Sequence, residues 1–500
     1  MFNSFSWKDW SSVIFSGIIT GLAYYTEIYG LFAWVSFIPL LHIISKFKPD
    51  SKPFIIGYIF GISYNLVAFY WIALNSGTSF FIALCSLIAA ISYLSVFWGL
   101  LTTFIYQIKN YVFRLIIFPF AVVLMEWLRS LGPLGFPWSN LALTQINLLP
   151  LVQIMDITGS YGVSALVLII NTVLYYFLIN LNKSSLFLLC LSFLSLLLLW
   201  NVGTKKIDNH NKYSKTFEVA VIQPNINPNS KWDSINKEII KSKLDSLYEM
   251  ALNLKPDLIL FPETAYPTYL RFDQTIRNYL QKKVSLTGIS TLVGTVDRKK
   301  SKEQKNNYFN SSFYFTKNKD IQIYNKTHLV PFAEYVPFSD IIPIFKRLNF
   351  GQGNFEKGKE ISIFDLNGLK FSNIICYESS IPGIINQIVR NGVNFLTIQT
   401  NDGWLGNSIG PIQHYNIAKI RAIENRIPVV RSGNNGVSGM ILPNGISINE
   451  KSFGVTSVFR VSVPIVKPGT FFSQNGNIFV ILCLALTIII FLWSLKKFSY

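Results

Sequence analysis

Four cysteines are spread along the chain, at Cys85, Cys190, Cys376 and Cys483, and three of them lie in long apolar runs. A cysteine in such a run behaves as a small hydrophobe. Cys376 stands instead in a polar, strand-rich context, at the end of Asn373-Ile-Ile-Cys-Tyr-Glu-Ser-Ser-Ile-Pro382. Ser379 or Ser380 can cap a helix that begins near Pro382. A strand, a turn and a helix in that order present a nucleophile at a sheet edge. The helix N-terminus is expected to lower the thiol pKa.

A thiol that takes up an acyl group needs a base and a positive partner for the oxyanion. Asp257-Leu-Ile-Leu-Phe-Pro-Glu263 reads as an apolar strand closing on a carboxylate. Asn325-Lys-Thr-His-Leu-Val-Pro-Phe-Ala-Glu-Tyr-Val-Pro337 supplies Lys326 and Glu334. Cys376 as nucleophile, Glu263 as base and Lys326 as cation fill the three roles. Each alone has a plainer reading: a buried thiol, a surface carboxylate and a solvated lysine. It is their occurrence together that carries the chemistry.

The elements that must position these residues fall into two textures. Of the 500 residues, 50% are hydrophobic and only 14% charged, against about 25% charged in soluble domains. Apolar runs at Ser11–Tyr25, Tyr29–Ile44, Phe54–Leu74, Phe80–Ile108, Phe113–Leu128, Gly162–Leu181 and Leu186–Val202, with a last one at Asn477–Leu495, predict about eight membrane spans. Lys46, Lys48, Lys52, Lys109, Arg114, Lys183, Lys496 and Lys497 gather in alternate connections. That asymmetry predicts cytoplasmic N- and C-termini. The first run is expected to be a span and not a cleaved leader, since further spans follow at once. Glu126 and Arg129, at the edge of the fifth run, are expected to pair or to anchor the interface.

Between these spans, short β-rich runs alternate with helical stretches. Phe217–Ile222, Asp257–Phe261, Thr291–Val296, Ser312–Phe315, Phe371–Cys376, Phe395–Gln399, Val429–Ser432 and Val437–Leu442 read as strands, and Ser234–Leu254 as an amphipathic helix. The expected organisation is a membrane domain over 1–205, an α/β domain over 213–468 outside the cytoplasm, and a C-terminal span over 472–500. Tyr335–Phe350 is apolar with Lys346 and Arg347 near one end. It suits an arm that dips into headgroups, with Ile341, Ile342 and Phe345 touching lipid.

The ordered set Pro-Glu-Thr, Asn-Lys-x-His-Leu-Val-Pro-Phe-x-Glu-Tyr-Val-Pro and Cys-Tyr-Glu resembles the nitrilase superfamily. With the spans, Glu126–Arg129, Phe136–Trp138 and Asn401-Asp-Gly-Trp-Leu-Gly-Asn-Ser-Ile-Gly-Pro-x-Gln-His414, the layout resembles the apolipoprotein N-acyltransferase family over nearly the whole chain. Leu405 stands where an aromatic would be expected. The resemblance implies a multi-pass α-helical membrane domain joined to an αββα sandwich. It also implies a two-step transfer of an acyl chain from a phospholipid, phosphatidylethanolamine, to the amine of a diacylated apolipoprotein at the bacterial inner membrane, with the α/β domain in the periplasm. By the same resemblance Glu334, Glu378 and Tyr377 support the site, and Trp232 and Trp404 line or gate its entrance.

Two other classes are open to such a sequence. A tethered amidase would use the same three residues with water as acceptor, but a small amide needs neither eight spans nor an apolar arm. A transporter or scaffold carrying a dead domain is disfavoured by the intact Glu263, Lys326 and Cys376. No CxxC pair or histidine cluster occurs, so a zinc site is not expected. No cofactor is implied. The net charge of +18 suits lipid headgroups, and no nucleic-acid-binding signature accompanies it. A monomer is expected.

Overall fold

Apolar runs in a bilayer must satisfy their backbone internally, so they fold as helices. The computed structural model describes residues 5–25, 28–209, 215–300, 306–318, 320–339, 341 and 354–496. Ile342 and Phe345 lie outside the described residues. The chain divides into two units: Met1–Ala73, Leu84–Asn209 and Asn475–Tyr500 form one, and Leu74–Ala83 with His210–Gln474 form the other.

In the first unit seven helices among the described residues are long and apolar enough to cross a membrane. They are Ile28–Ser45, Pro53–Leu74, Phe80–Tyr106, Tyr111–Arg129, Ser160–Ile179, Lys183–Asp208 and Ile478–Lys496. The first expected run is also helical, over Trp7–Leu22, but at 16 residues it is shorter than these seven. A 3-10 turn over Ala23–Tyr25 continues it, and at about 1.5 Å per residue the two together approach a hydrocarbon core roughly 30 Å thick. It packs closely on the helix Pro53–Phe69, where a Cβ on Gly17 would overlap the backbone at Phe60. Small residues at such crossings let membrane helices approach. The last helix joins the bundle through a cluster of Val123, Tyr161, Ala165, Val480 and Cys483. The helix Lys183–Asp208 is only 6% buried, which suits a lipid-facing surface. Glu126 and Arg129 bond to nearby backbone: Glu126 accepts the Leu141 N–H (2.7 Å) and Arg129 donates to the Ser139 carbonyl (2.7 Å).

The second unit is built on two six-stranded sheets. The first has the order β12-β1-β2-β3-β4-β5, with β1 Thr216–Gln223, β2 Leu258–Leu260, β3 Ser290–Lys300, β4 Asn306–Phe315, β5 Gln322–Asn325 and β12 Ser457–Pro464. The second has the order β11-β10-β9-β8-β7-β6, with β6 Ile363–Leu366, β7 Leu369–Ile375, β8 Phe395–Thr400, β9 Val429–Gly433, β10 Ser438–Ile441 and β11 Ser447–Lys451. In each sheet three central strands are parallel, β1-β2-β3 and β7-β8-β9, and the flanking strands are antiparallel.

Central strands buried on both faces read as continuous apolar runs, and Val219–Ile222 and Leu258–Leu260 do so. Phe217, Val221, Leu260, Phe371, Phe395 and Val430 fill the layer between the sheets. The helices Lys237–Asn253 and Gln274–Thr287 cover the outer face of the first sheet. Pro382–Arg390 and Ile409–Asn425 cover the second. The result is the expected αββα sandwich. A buried polar ladder crosses its middle: Ser312 bonds Gln399, Asn373 donates to Ser312 (2.8 Å), and Gln399 donates to the Phe261 carbonyl (2.6 Å). It leads directly to the turn that carries Glu263.

Candidate active site

β2 runs out at the carboxyl edge of its sheet into Phe261-Pro-Glu-Thr264. Thr264 sits at φ +45, a costly backbone for a β-branched residue, about 1–3 kcal/mol. The turn fits because β3 passes it with Gly294: a Cβ there would overlap the Pro262 carbonyl and the Glu263 Cα. The Ala265 N–H closes the contact on the Gly294 carbonyl at 2.7 Å. Glu263 is thereby fixed and is only 6% exposed.

Lys326 follows edge strand β5, and its backbone N–H is held by the Asn310 carbonyl of β4 (2.8 Å). Its ammonium is fully buried and lies 2.9 Å from both carboxylate oxygens of Glu334 and 3.8 Å from Glu263. Asn310 links the two acids, donating to Glu263 at 2.6 Å and to Glu334 at 3.0 Å. Burial alone would lower the lysine pKa, but the charges of Glu334, Glu263 and Cys376 outweigh it and hold Lys326 well above its usual value. Burial raises Glu263, the negative charge of Glu334 adds to that, and Lys326 opposes it.

Cys376 follows β7 with φ +52 and opens the turn Cys376–Ser380. Neither Ser379 nor Ser380 caps the following helix, whose cap position is Ile381, with Pro382 first in the helix. Their hydroxyls turn back on the nucleophile's own turn, Ser379 to the Cys376 carbonyl (2.9 Å) and Ser380 to the Tyr377 carbonyl (2.7 Å). The expected lowering of the thiol pKa is reversed. Burial, with the Glu263 carboxylate, pushes Cys376 up against the pull of Lys326. The helix begins only at Pro382, too far along the turn to compensate. At rest the site holds a neutral thiol beside a lysine cation.

Glu378 is buried and acts as a clamp. One oxygen accepts from Tyr324 Oη (2.6 Å), the Thr327 N–H (2.7 Å), Thr327 Oγ1 (2.7 Å) and the His328 N–H (3.1 Å). The other accepts the Ile375 N–H at 2.8 Å. One carboxylate therefore ties the lysine loop to the nucleophile strand.

Behind the thiol lies a second network. His414 Nδ1 is 2.7 Å from Asp402, and its Nε2 is 3.0 Å from Ser379 Oγ and 3.1 Å from the Cys376 carbonyl. Arg431 donates to Asp402 at 2.7 Å. Burial and Arg431 lower His414, whereas His414 and Arg431 overcome burial to hold Asp402 well below the usual carboxylate range. Neutral His414 then gives its Nδ1–H to Asp402. The Cys376 thiol, Asp402 and His414 offer ligand atoms within 4.8 Å of one another. The Asp402 and His414 atoms are already spent on these bonds, and a guanidinium sits on the carboxylate, so the pair braces the turn and is poorly suited to a metal ion.

The structure thus brings Glu263, Lys326, Cys376, Glu334 and Glu378 together. Tyr377 is half-buried in the nucleophile turn. Trp232 is 48% exposed, its ring 6.4 Å from Tyr269, which lies 5.9 Å from Tyr308. Trp404 is half-buried; its carbonyl accepts the Ser76 N–H at 2.9 Å and Gly77 lies against its ring. Ile341 is 79% exposed. Sequence reasoning missed Asn310, Asp402, Arg431 and Lys231. Asp402 stood inside a motif already singled out, and Lys231 sits next to Trp232. Asn310 and Arg431 gave no local signal.

A family model described as apolipoprotein N-acyltransferase N-terminal domain matches residues 16–173, and one described as carbon-nitrogen hydrolase matches residues 218–458. An apolipoprotein N-acyltransferase of Geobacter metallireducens is 30% identical, over 97% of this chain and 95% of its own length. The chain belongs to the apolipoprotein N-acyltransferase family. A member of that family from Rickettsia prowazekii is 31% identical over 95% of this chain and 96% of its own. Among solved structures, an amidase from Nesterenkonia sp. is similar at 15% identity, covering 51% of this chain and 93% of the amidase with a TM-score of 0.39. The family membership and the apolar helices make this an integral membrane enzyme of the nitrilase superfamily.

Proposed function

We propose that this chain moves an acyl chain from a phospholipid, phosphatidylethanolamine by preference, onto the N-terminal amine of a diacylglyceryl-cysteine lipoprotein. The observation that carries this reading is the buried Glu263 and Lys326, 3.8 Å apart, with the half-buried Cys376, in a family member that also has helices long and apolar enough to span a membrane.

In the first step the Cys376 thiol gives its proton to Glu263 as sulfur attacks the ester carbonyl. The tetrahedral oxyanion is met by the Lys326 ammonium. Collapse breaks the acyl C–O bond, Glu263 returns the proton to the leaving alkoxide, and a lysophospholipid departs from the thioester. In the second step the lipoprotein amine attacks the thioester carbonyl, Glu263 takes a proton from nitrogen, the acyl C–S bond breaks as the amide forms, and Glu263 passes that proton to the Cys376 sulfur to restore the thiol. A thiol raised by burial favours this concerted transfer over a standing thiolate. Glu334 holds Lys326 in place, Glu378 and Tyr377 fix the nucleophile's turn, and Trp232 and Trp404 line the way in. Ile341 contacts lipid.

The second unit faces the periplasm in this reading, with both termini cytoplasmic once the short first helix is counted as an eighth crossing. The enzyme works as a monomer. Label from phosphatidylethanolamine that collects on the protein and then passes to a diacylated lipopeptide supports the reading. Release of free fatty acid without transfer opposes it.

A further inference from the structure

Lys231 lies in the loop between β1 and the helix Lys237–Asn253, and its side chain is 1% exposed. Its Nζ is buried and has no hydrogen-bond partner. Burying an amine in that state is unfavourable unless a partner completes it. The loop is held firmly. The Asn225 N–H donates to the Asn434 carbonyl (2.7 Å), the Ile226 N–H to Asn434 Oδ1 (3.1 Å), and Asn434 returns a bond to the Ile226 carbonyl (2.7 Å). Asn236 donates to the Ser230 carbonyl at 2.9 Å. The buried amine is therefore a placed group and not the end of a loose side chain. The protein charge that acts on it is that of Glu263, and burial lowers its pKa to about 7. Its neighbour Trp232 is half-exposed, so the loop joins a surface aromatic to the interior of the site.

We propose that Lys231 is a second substrate-binding residue of this site, whose Nζ donates a hydrogen bond to an ester carbonyl oxygen of a lipid bound beside Glu263. An amine supplies donors, and a charged one supplies donors only, so an oxygen acceptor is the chemistry it selects. This inference rests on the acyl-transfer reading. Both lipids of that reading carry glycerol esters, so the oxygen belongs either to the phospholipid donor or to the diacylglyceryl acceptor. Lys326 serves the reacting carbonyl and Lys231 serves a neighbouring ester.

The test uses the full-length protein in detergent as wild type, K231M and K231R, with the two half-reactions measured apart. Uptake of label from phosphatidylethanolamine reports the first, and chase from preloaded enzyme onto a synthetic diacylated lipopeptide reports the second. We expect K231M to slow one half-reaction about 10- to 100-fold, the scale of losing one well-placed donor, and K231R to recover part of it. Alkylation of Cys376 by iodoacetamide and the melting temperature should match wild type. A slow first step assigns the oxygen to the donor, and a slow second step assigns it to the acceptor. Wild-type rates in both steps overturn the inference, as does an equal loss in both accompanied by changed alkylation or melting. Should K231M not fold, K231Q keeps a donor at shorter reach and should raise KM for one lipid only; an unchanged KM for both overturns the inference. A wild-type protein that takes up no label overturns the acyl-transfer reading and this inference with it. A working wild type with unaffected variants overturns the inference alone.

Discussion

Glu378→Gln isolates the clamp between the lysine loop and the nucleophile strand. The carboxylate accepts four hydrogen bonds on one oxygen and one, from the Ile375 N–H, on the other. Glutamine can keep its oxygen on the four-bond side, which sets its NH2 against the Ile375 N–H. The change then removes one charge-assisted bond and leaves a buried N–H unpaired, together about 2–5 kcal/mol. For a unit of this size that corresponds to a fall of roughly 5–15 °C in melting temperature. Strand β7 and the lysine loop would also lose register by a fraction of an ångström, enough to slow thioester formation about 100-fold. Tyr324→Phe removes one bond and keeps the charge, and should cost about 1–2 kcal/mol. Melting is read by intrinsic fluorescence in detergent and acylation by label uptake. If E378Q melts within 2 °C of wild type, on the order of 1 kcal/mol, and acylates at a comparable rate, the clamp argument is wrong.

Four further outcomes follow from the same structure. Glu263 is raised by burial, so below its raised value it keeps its own proton and cannot take the thiol's; acylation should fall with acid at a pH above the ordinary carboxylate range of about 4–4.5. Cys376 and Lys326 are both raised, so the rate should stay flat through mild alkali, and a rise above about pH 8 typical of a free thiol would contradict the account. His414→Ala should lower kcat about 10- to 100-fold with little change in KM for phosphatidylethanolamine, since it frees the Cys376 turn and touches no lipid; a pure KM effect would count against it. Ile341→Asp should weaken activity on phosphatidylethanolamine in vesicles about 10-fold, the worth of one buried aliphatic side chain, and leave a short-chain ester in detergent unaffected. Equal kinetics in vesicles would remove the lipid contact.

The site was legible where one short segment carried both strand and chemistry. Asp257–Glu263 and Asn373–Glu378 are apolar strands that end on a reactive side chain, and the sandwich sets both ends at carboxyl edges. Asn310 was hidden because it lies mid-strand in β4 and acts on residues distant in sequence. Lys231 was hidden because a lysine in a polar loop reads as solvated until its burial is known. Strands β5, β6 and β11 give little signal because they are only four or five residues long, and β11 carries one apolar residue, whereas β12 shows its alternation of Phe459, Val461 and Val463 and was open to the same reading. The thiol's pKa was misjudged because the turn suggested a helix dipole, whereas burial and Glu263 set the balance.

The central claim is that Cys376 carries the acyl group between two lipids. Purified wild type and Cys376→Ala are incubated in detergent with acyl-labelled phosphatidylethanolamine, then with a synthetic diacylated lipopeptide. The account predicts hydroxylamine-sensitive label on wild type, its passage to the lipopeptide amine, and neither event in the variant. Label that reaches the lipopeptide with Cys376→Ala, or wild type that releases only free fatty acid, would contradict it.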